Sequence, residues 1–311
     1  GPAVPPEKRM SIASIRALLA QARDLGAREV LFSGGEPTLH PDIDEILDLS
    51  GALSFRRHLH TNGIGIHRIA PNRFEELHVS LDAADRETYA TIRGVDAFDT
   101  VLRGVERLRA GAPRAIIRAR TMIHRMNFLA ALEIAQTARA RGFTSLSFLA
   151  ADVSSPAFGR VVPVDPHEND RLVPTLDDLE GYAALIPHWR ARFSEMRRDG
   201  FFVDDRKLEN IIGHYRAIRG AATSAPKPCI APTSSIVIET DGGAHPCFFL
   251  PVSGNIRDGA LRSLIQSPSW PAKLDPMHHE TCAHCVCRLP PPSLGARVRR
   301  FFSRGDEAAT T

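Results

Sequence analysis

The sequence predicts an α/β fold: a partial barrel of parallel strands followed by a small cysteine-bearing β-hairpin and helix module. Three observations carry this expectation. Between Ser11 and Phe148, short apolar strand patterns alternate with segments of helical period, which implies parallel strands joined by right-handed crossovers. The polar clusters "SGGEP", "HTNG", "SLD" and "ART" all fall at the C-terminal ends of those strands, where barrel active sites are assembled. All five cysteines lie in the last third of the chain, around a hairpin pattern.

In chain order, Ser11 is placed to cap a helix whose apolar stripe is Ile12, Ile15, Leu18, Leu19, Ala22 and Leu25, closed by Gly26. "EVLFS" (29–33) follows as a short buried strand. A helix over about 42–49 carries Ile43, Ile46 and Leu47, and 55–63 is the next strand, ending on a turn. Residues 76–82 read as a strand, and Phe98, Val101, Leu102, Val105 and Leu108 stand at helix spacing before Gly111. Strands at 115–123 and 145–150 flank a helix of about 128–141. Five strands fit an open sheet as well as a barrel; contributions from several consecutive strand ends, not from one switch point, favour the barrel. Beyond residue 150 the texture changes. A long connection containing proline leads to helices at about 175–198 and 206–218, and "SSIVIETDGGAHPCFFLP" reads as a hairpin turning at Asp241-Gly242-Gly243.

Composition bounds the rest. The chain of 311 residues is 43% hydrophobic, a soluble globular value, and holds no run of about 18 apolar residues that would span a membrane. With no charged-then-apolar leader, a cytoplasmic protein is expected. A net charge of +3 with both signs interspersed, and 6% aromatic residues, give neither an electrostatic footprint nor a stacking platform for nucleic acid. The Rossmann glycine fingerprint and the Walker-type loop are absent after the strands, which disfavours an open-sheet nucleotide-binding enzyme.

An odd count of five cysteines argues against a disulfide framework. Cys229 and Cys247 stand in a C-x12-G-x4-C pattern, one thiol before the hairpin and one on its return, while Cys282 and Cys285 form a CxxC turn. Four thiolates around one centre suit either zinc or a four-iron cluster. Cys287 is a spare or substitute ligand, and His278 and His279 before the CxxC and His284 within it are further candidate ligands or solvated loop residues.

These residues together resemble the radical SAM family, and within it the members with a C-terminal SPASM or twitch domain. "SGGEP" is similar to the family's second-strand motif, "HTNG" and "HVSLDAADRETYATIRG" to its third and fourth strands, and "GNIRDGALRSLIQSP" with the cysteine spacing to its auxiliary-cluster domain. The resemblance covers most of residues 10–288 and is weakest over 150–225. It implies a partial (β/α)6 TIM-like barrel lacking its first strand, then a small iron-sulfur domain. The boundaries expected are 1–150 for the barrel, 151–225 for a helical connecting segment, 226–289 for the auxiliary-cluster domain and 290–311 for a basic, disordered tail.

The same resemblance implies site residues. Gly34 and Gly35, without Cβ atoms, would offer backbone to the methionyl end of S-adenosylmethionine; Glu36 would pair with its ammonium and Pro37 would fix the exit of the turn. Ser80 and Asp82 would sit near the ribose, with Thr61, Asn62 and Thr121 lining the pocket, although these residue types also serve as ordinary caps and turns. Cys229, Cys247, Cys282 and Cys285 would hold an auxiliary 4Fe-4S cluster. The implied activity is cleavage of S-adenosylmethionine to a 5′-deoxyadenosyl radical and hydrogen abstraction from a peptide or small-molecule substrate, with flavodoxin or ferredoxin as electron donor. The family's radical cluster needs a CxxxCxxC triad, and no cysteine precedes Cys229; the triad is expected immediately upstream of Gly1, in a full-length protein of which this chain is a truncated and inactive part. The rival expectation, from a different class, is a non-catalytic binding protein with a degenerate barrel and a structural four-cysteine zinc site. Asp152, Arg160, Asp165, His167 and Glu168 suit substrate contacts and surface salt links equally.

Overall fold

The computed structural model describes residues 9–153, 155, 166–223, 228–268, 270, 282 and 285. Helix α1 (Ile12–Asp24) starts where Ser11 accepts a hydrogen bond from the Ser14 backbone. It leads to β1 (Glu29–Phe32), α2 (Ile43–Ala52), β2 (Arg56–Thr61), β3 (Glu76–Ser80), α3 (Arg86–Arg93), α4 (Phe98–Gly111), β4 (Ile116–Ile123), α5 (Ala131–Ala140) and β5 (Ser145–Ala150). Beyond these lie α6 (Pro166–Leu172), α7 (Leu176–Arg198), β6 (Phe202–Asp204) and α8 (Leu208–Ile218).

Six parallel strands pair in sequence order from β1 to β6. β6 was not foreseen: it falls inside the segment expected to be purely helical, and three residues are too few for a period-2 signal. Its partners are Ser145↔Phe202 and Leu146↔Val203, so α7 and α8 continue the strand-helix alternation of the sheet. Tyr215 on α8 fastens them to it, its hydroxyl donating to Ile123 O and accepting from Ala151 N at 2.7 Å.

The helices cover one face of the sheet. Leu59, Leu77, Val79, Ile117, Ala119, Leu146, Phe148 and Val203, at alternate strand positions, join one core with residues of α2 to α5, α7 and α8. Their neighbours, Glu76, His78, Arg118, Arg120 and Ser147 among them, point to the opposite, inner face. Sheets of parallel strands are ordinarily apolar on both faces; this one is polar on the second, as a half-open barrel around a ligand space requires.

The C-terminal module contains α9 (Ala231–Ser234), an antiparallel sheet of β7 (Val237–Ile238), β8 (Gly243–His245) and β9 (Gly254–Asn255), and α10 (Leu261–Ile265). The expected turn forms where Gly242 takes φ +90° and Asp241 accepts from Gly243 N at 2.9 Å. The module docks on the other end of the chain: Gln21 Oε1 on α1 accepts from Leu261 N at 2.8 Å, a contact 240 residues apart in sequence. The expected tail of 290–311 lies outside the described residues.

Candidate active site

The first strand ends in Ser33-Gly34-Gly35-Glu36. Gly34 has φ +87°, and no atom lies within 4 Å of where its Cβ would be, so the backbone there is open to a ligand. Glu36 is buried and binds the turn together. Its Oε1 accepts from Thr38 N (3.1 Å), Thr38 Oγ1 (2.7 Å) and Thr61 Oγ1 (2.6 Å), and its Oε2 from Asn62 N (2.7 Å). Oε2 therefore keeps acceptor capacity toward a ligand. Pro37 opens the 3₁₀ turn that Glu36 caps.

Thr61 and Asn62 close the next strand end in the same network. Thr61 Oγ1 accepts from Gly63 N at 2.9 Å and Asn62 Oδ1 from Ile64 N at 2.9 Å. Gly65 lets this loop lie on the first turn: a Cβ there would fall 2.2 Å from Thr38 Oγ1.

The other expected residues occupy the ends of β3 and β4. Ser80 is half-buried on the inner face. Asp82 is 3% exposed and works as a brace: Oδ1 accepts from Met122 N at 2.8 Å, Oδ2 from Arg93 Nη1 at 3.0 Å, and its carbonyl from Asn127 Nδ2 at 2.8 Å. Thr121 is fully buried and donates to Leu81 O at 2.6 Å. The structure thus brings Gly34, Gly35, Glu36, Pro37, Thr61 and Asn62 into one shelf, with Ser80 on the adjoining inner face and Asp82 and Thr121 built into the wall behind it.

Sequence reasoning missed the inner face itself. Glu76 accepts from Arg56 Nη2 (3.0 Å) and Arg118 Nη2 (3.1 Å) at Oε1, and from Arg118 Nε (3.0 Å) at Oε2. His78 Nε2 stands 3.2 Å from the same Oε2. Burial alone would raise the Glu76 carboxyl, but the bonds and charge of Arg118 win and hold it at about 2. The rings of His60 and His78 are 4.4 Å apart, and Arg120 Nη1 lies 3.5 Å from His60 Nδ1. The signal was available in the polar residue at every second position of "RRHLHT", "ELHVS" and "IIRART". A separate open groove of about 620 Å³, lined by Phe74, Glu75, Pro113 and Ile116, sits at the N-terminal ends of the strands, the end that serves stability in barrels.

In the module, Cys229, Cys247, Cys282 and Cys285 are all half-buried. Burial raises the Cys247 and Cys282 thiols, and Cys229 raises both further while Cys247 acts on Cys282. Cys229, Cys247 and Cys282 thus lie close enough to act on one another, and Cys285 N donates to Cys282 O at 3.4 Å across the CxxC turn. Four cysteines as a donor set suit a four-iron cluster. Cys287, His278, His279, His284, Arg160 and Asp165 lie outside the described residues, as do the side chains of His167 and Glu168 in α6.

Comparison with known proteins agrees with this architecture. Residues 2–124 match the Radical SAM superfamily, and residues 229–286 match SPASM, an iron-sulfur cluster-binding domain. The AdoMet-dependent heme synthase of Methanosarcina barkeri is 27% identical over 97% of this chain and 86% of its own length. A probable GTP 3′,8-cyclase of Pyrococcus abyssi is 33% identical over 32% of this chain and 34% of its own. In fold, the chain is similar to anSMEcpe with bound AdoMet (TM-score 0.59, 18% identity, 89% of this chain and 78% of that one). It is similar also to Streptococcus suis SuiB bound to precursor peptide SuiA (TM-score 0.59, 15% identity, 94% and 66%). The two domain matches, in their order along the chain, show that this chain belongs to the radical SAM superfamily of S-adenosylmethionine-dependent iron-sulfur enzymes and carries its SPASM domain.

Proposed function

We propose that this radical SAM enzyme abstracts hydrogen from a peptide or small-molecule substrate held over the inner face of β2 to β5, with an auxiliary 4Fe-4S cluster on Cys229, Cys247, Cys282 and Cys285. The observation that carries the reading is the shelf at Gly34 to Asn62, where open backbone and the spare lone pair of Glu36 Oε2 meet at the mouth of a polar face. S-adenosylmethionine, when bound, supplies the hydrogen-abstracting chemistry. The chain's own residues do the positioning: Gly34 and Gly35 admit the methionyl end, and Glu36 orients its ammonium. Thr61 and Asn62 hold Glu36 in place, and Asp82 stiffens the adjoining wall.

The family's second cluster is a different matter. Cys229 is the first cysteine of the sequence, so the residues of the sheet domain do not supply three thiolates for that cluster. Support for the substrate class comes from two directions: the similarity over nearly the whole chain is to a heme synthase, and SuiB of similar fold is bound to a precursor peptide. A flavodoxin or ferredoxin is the proposed electron donor.

The test is S-adenosylmethionine binding by calorimetry. Glu36→Gln keeps the size of the side chain and removes its charge, and should weaken binding by about tenfold or more, the loss of one charge-assisted hydrogen bond. Equal affinity in the two proteins would refute the role of the shelf.

A further inference from the structure

The shelf accounts for one end of the strands and leaves open which substrate group the inner face of β2 to β4 recognises. Its composition is particular: Arg56, Arg118 and Arg120 surround one buried carboxylate, Glu76, and three imidazoles, His58, His60 and His78. We infer that this face, centred on His60, His78 and Arg120, is a subsite for a carboxylate group of the substrate; the inference rests on the substrate lying over the inner face, as proposed above.

Hydrogen-bond bookkeeping gives the polarity of the site. A carboxylate only accepts, so His78 Nε2 carries the proton that faces Glu76 Oε2 at 3.2 Å. A guanidinium only donates, so His60 Nδ1 is the acceptor facing Arg120 Nη1 at 3.5 Å, and the ring presents Nε2–H as a donor. Arg120 and His60 Nε2–H thus supply the donors of this face, and Glu76 is filled by three bonds from Arg56 and Arg118 and a fourth from His78. Arg118 is further fixed by Nη1 donating to Ser145 Oγ at 3.1 Å.

Three guanidiniums, Arg56, Arg118 and Arg120, against the one carboxylate of Glu76 make the face electropositive. Burial is the main reason that His60 falls to about 3 and His78 to about 4; for His60 the charges of His78 and then Arg120 follow, and for His78 the charge of Arg120 comes next. A positive, donor-lined, partly desolvated surface is complementary to an anion, and a planar carboxylate matches guanidinium and imidazole N–H groups.

A divalent cation is the competing occupant. His58 Nδ1 and His78 Nε2 stand 3.6 and 3.2 Å from Glu76 Oε2, near the spacing of ligands around one ion with bonds of about 2.0–2.1 Å. Yet Arg118 Nε already donates to that oxygen at 3.0 Å, and an ion there would face the guanidinium directly. Charge decides for the anion.

The test uses the whole chain, with histidine imidazoles followed by NMR at constant ionic strength. Glutarate, a free dicarboxylate, and acetyl-Gly-Glu-Gly-amide, whose one carboxylate is a peptide side chain, are titrated separately. Saturable shifts of His60 and His78 with either probe are expected, and the tighter probe identifies the source of the carboxylate. Arg120→Gln should weaken binding about tenfold or more, and His60→Gln should weaken it less; each variant is first shown to keep the wild-type unfolding midpoint at neutral pH. Unsaturable shifts with both probes, or unchanged affinity in Arg120→Gln, would overturn the inference. So would stoichiometric Zn(II) binding that moves His58 and His78 in a variant lacking the module's thiols. S-adenosylmethionine affinity is measured on the same samples: carboxylate binding without it counts against the shelf, and the reverse counts against this subsite.

Discussion

Acid should destabilise this protein through two histidines on the inner face before Glu76 beside them is titrated. His60 and His78 lie below their ordinary value of 6.5, at about 3 and about 4, so the unfolded chain binds protons there that the folded chain refuses. The stability tied to each group is fully present above pH 6.5 and is lost as the pH falls toward the folded value. At pH 5 each ring is about 1.5 pH units below the unfolded value, which is about 2 kcal/mol per histidine. Because the charge of His78 contributes to the shift of His60, the two are not independent, and together they amount to about 3 kcal/mol. This is a large part of a stability of about 5–15 kcal/mol. Urea unfolding between pH 7.5 and 5 should show the loss in the wild type, and the double variant His60→Gln, His78→Gln should show a flatter dependence by about that amount. Parallel pH dependences in the two proteins would refute the argument, since Glu76, held at about 2, titrates only below this window.

Two other outcomes follow from the packing and the thiols. Cys282→Ala should release auxiliary iron and loosen the module while the sheet domain keeps its unfolding transition, checked by iron content and calorimetry; unchanged iron per chain would refute the ligand assignment. Gly104→Ala should destabilise by about 1–3 kcal/mol through overpacking, because its Cβ would fall 2.1 Å from Ile66 Cγ2, and adding Ile66→Val should recover part of that loss in the same denaturation assay.

Much of the sheet domain was legible because its strands are short, apolar and separated by helices with clear stripes: Val101, Leu102, Val105 and Leu108 appear in the core as their spacing implies. The glycine shelf was legible for a different reason, since two adjacent glycines before an acid and a proline mark backbone that must stay open. Ser80, Asp82 and Thr121 show where local pattern stops informing. A threonine or aspartate at a strand end looks the same in sequence whether it faces a ligand or, as Thr121 does, donates to a neighbouring carbonyl. The inner face was written in the alternation of "ELHVS" and "IIRART", but reading it needs the knowledge that helices cover only one side. β6 was hidden because tertiary pairing with β5, not the propensity of three residues, makes it a strand.

The bond between Gln21 and Leu261 also has a consequence in time. At a synthesis rate of roughly 5–20 residues per second, the 240 intervening residues take roughly 12–48 s to emerge from a ribosome. Throughout that interval α1 waits without the module that docks on it. The contact between α1 and α10 therefore forms late, after the sheet domain between them has been made, and the two ends of the chain are joined only when its synthesis is nearly complete.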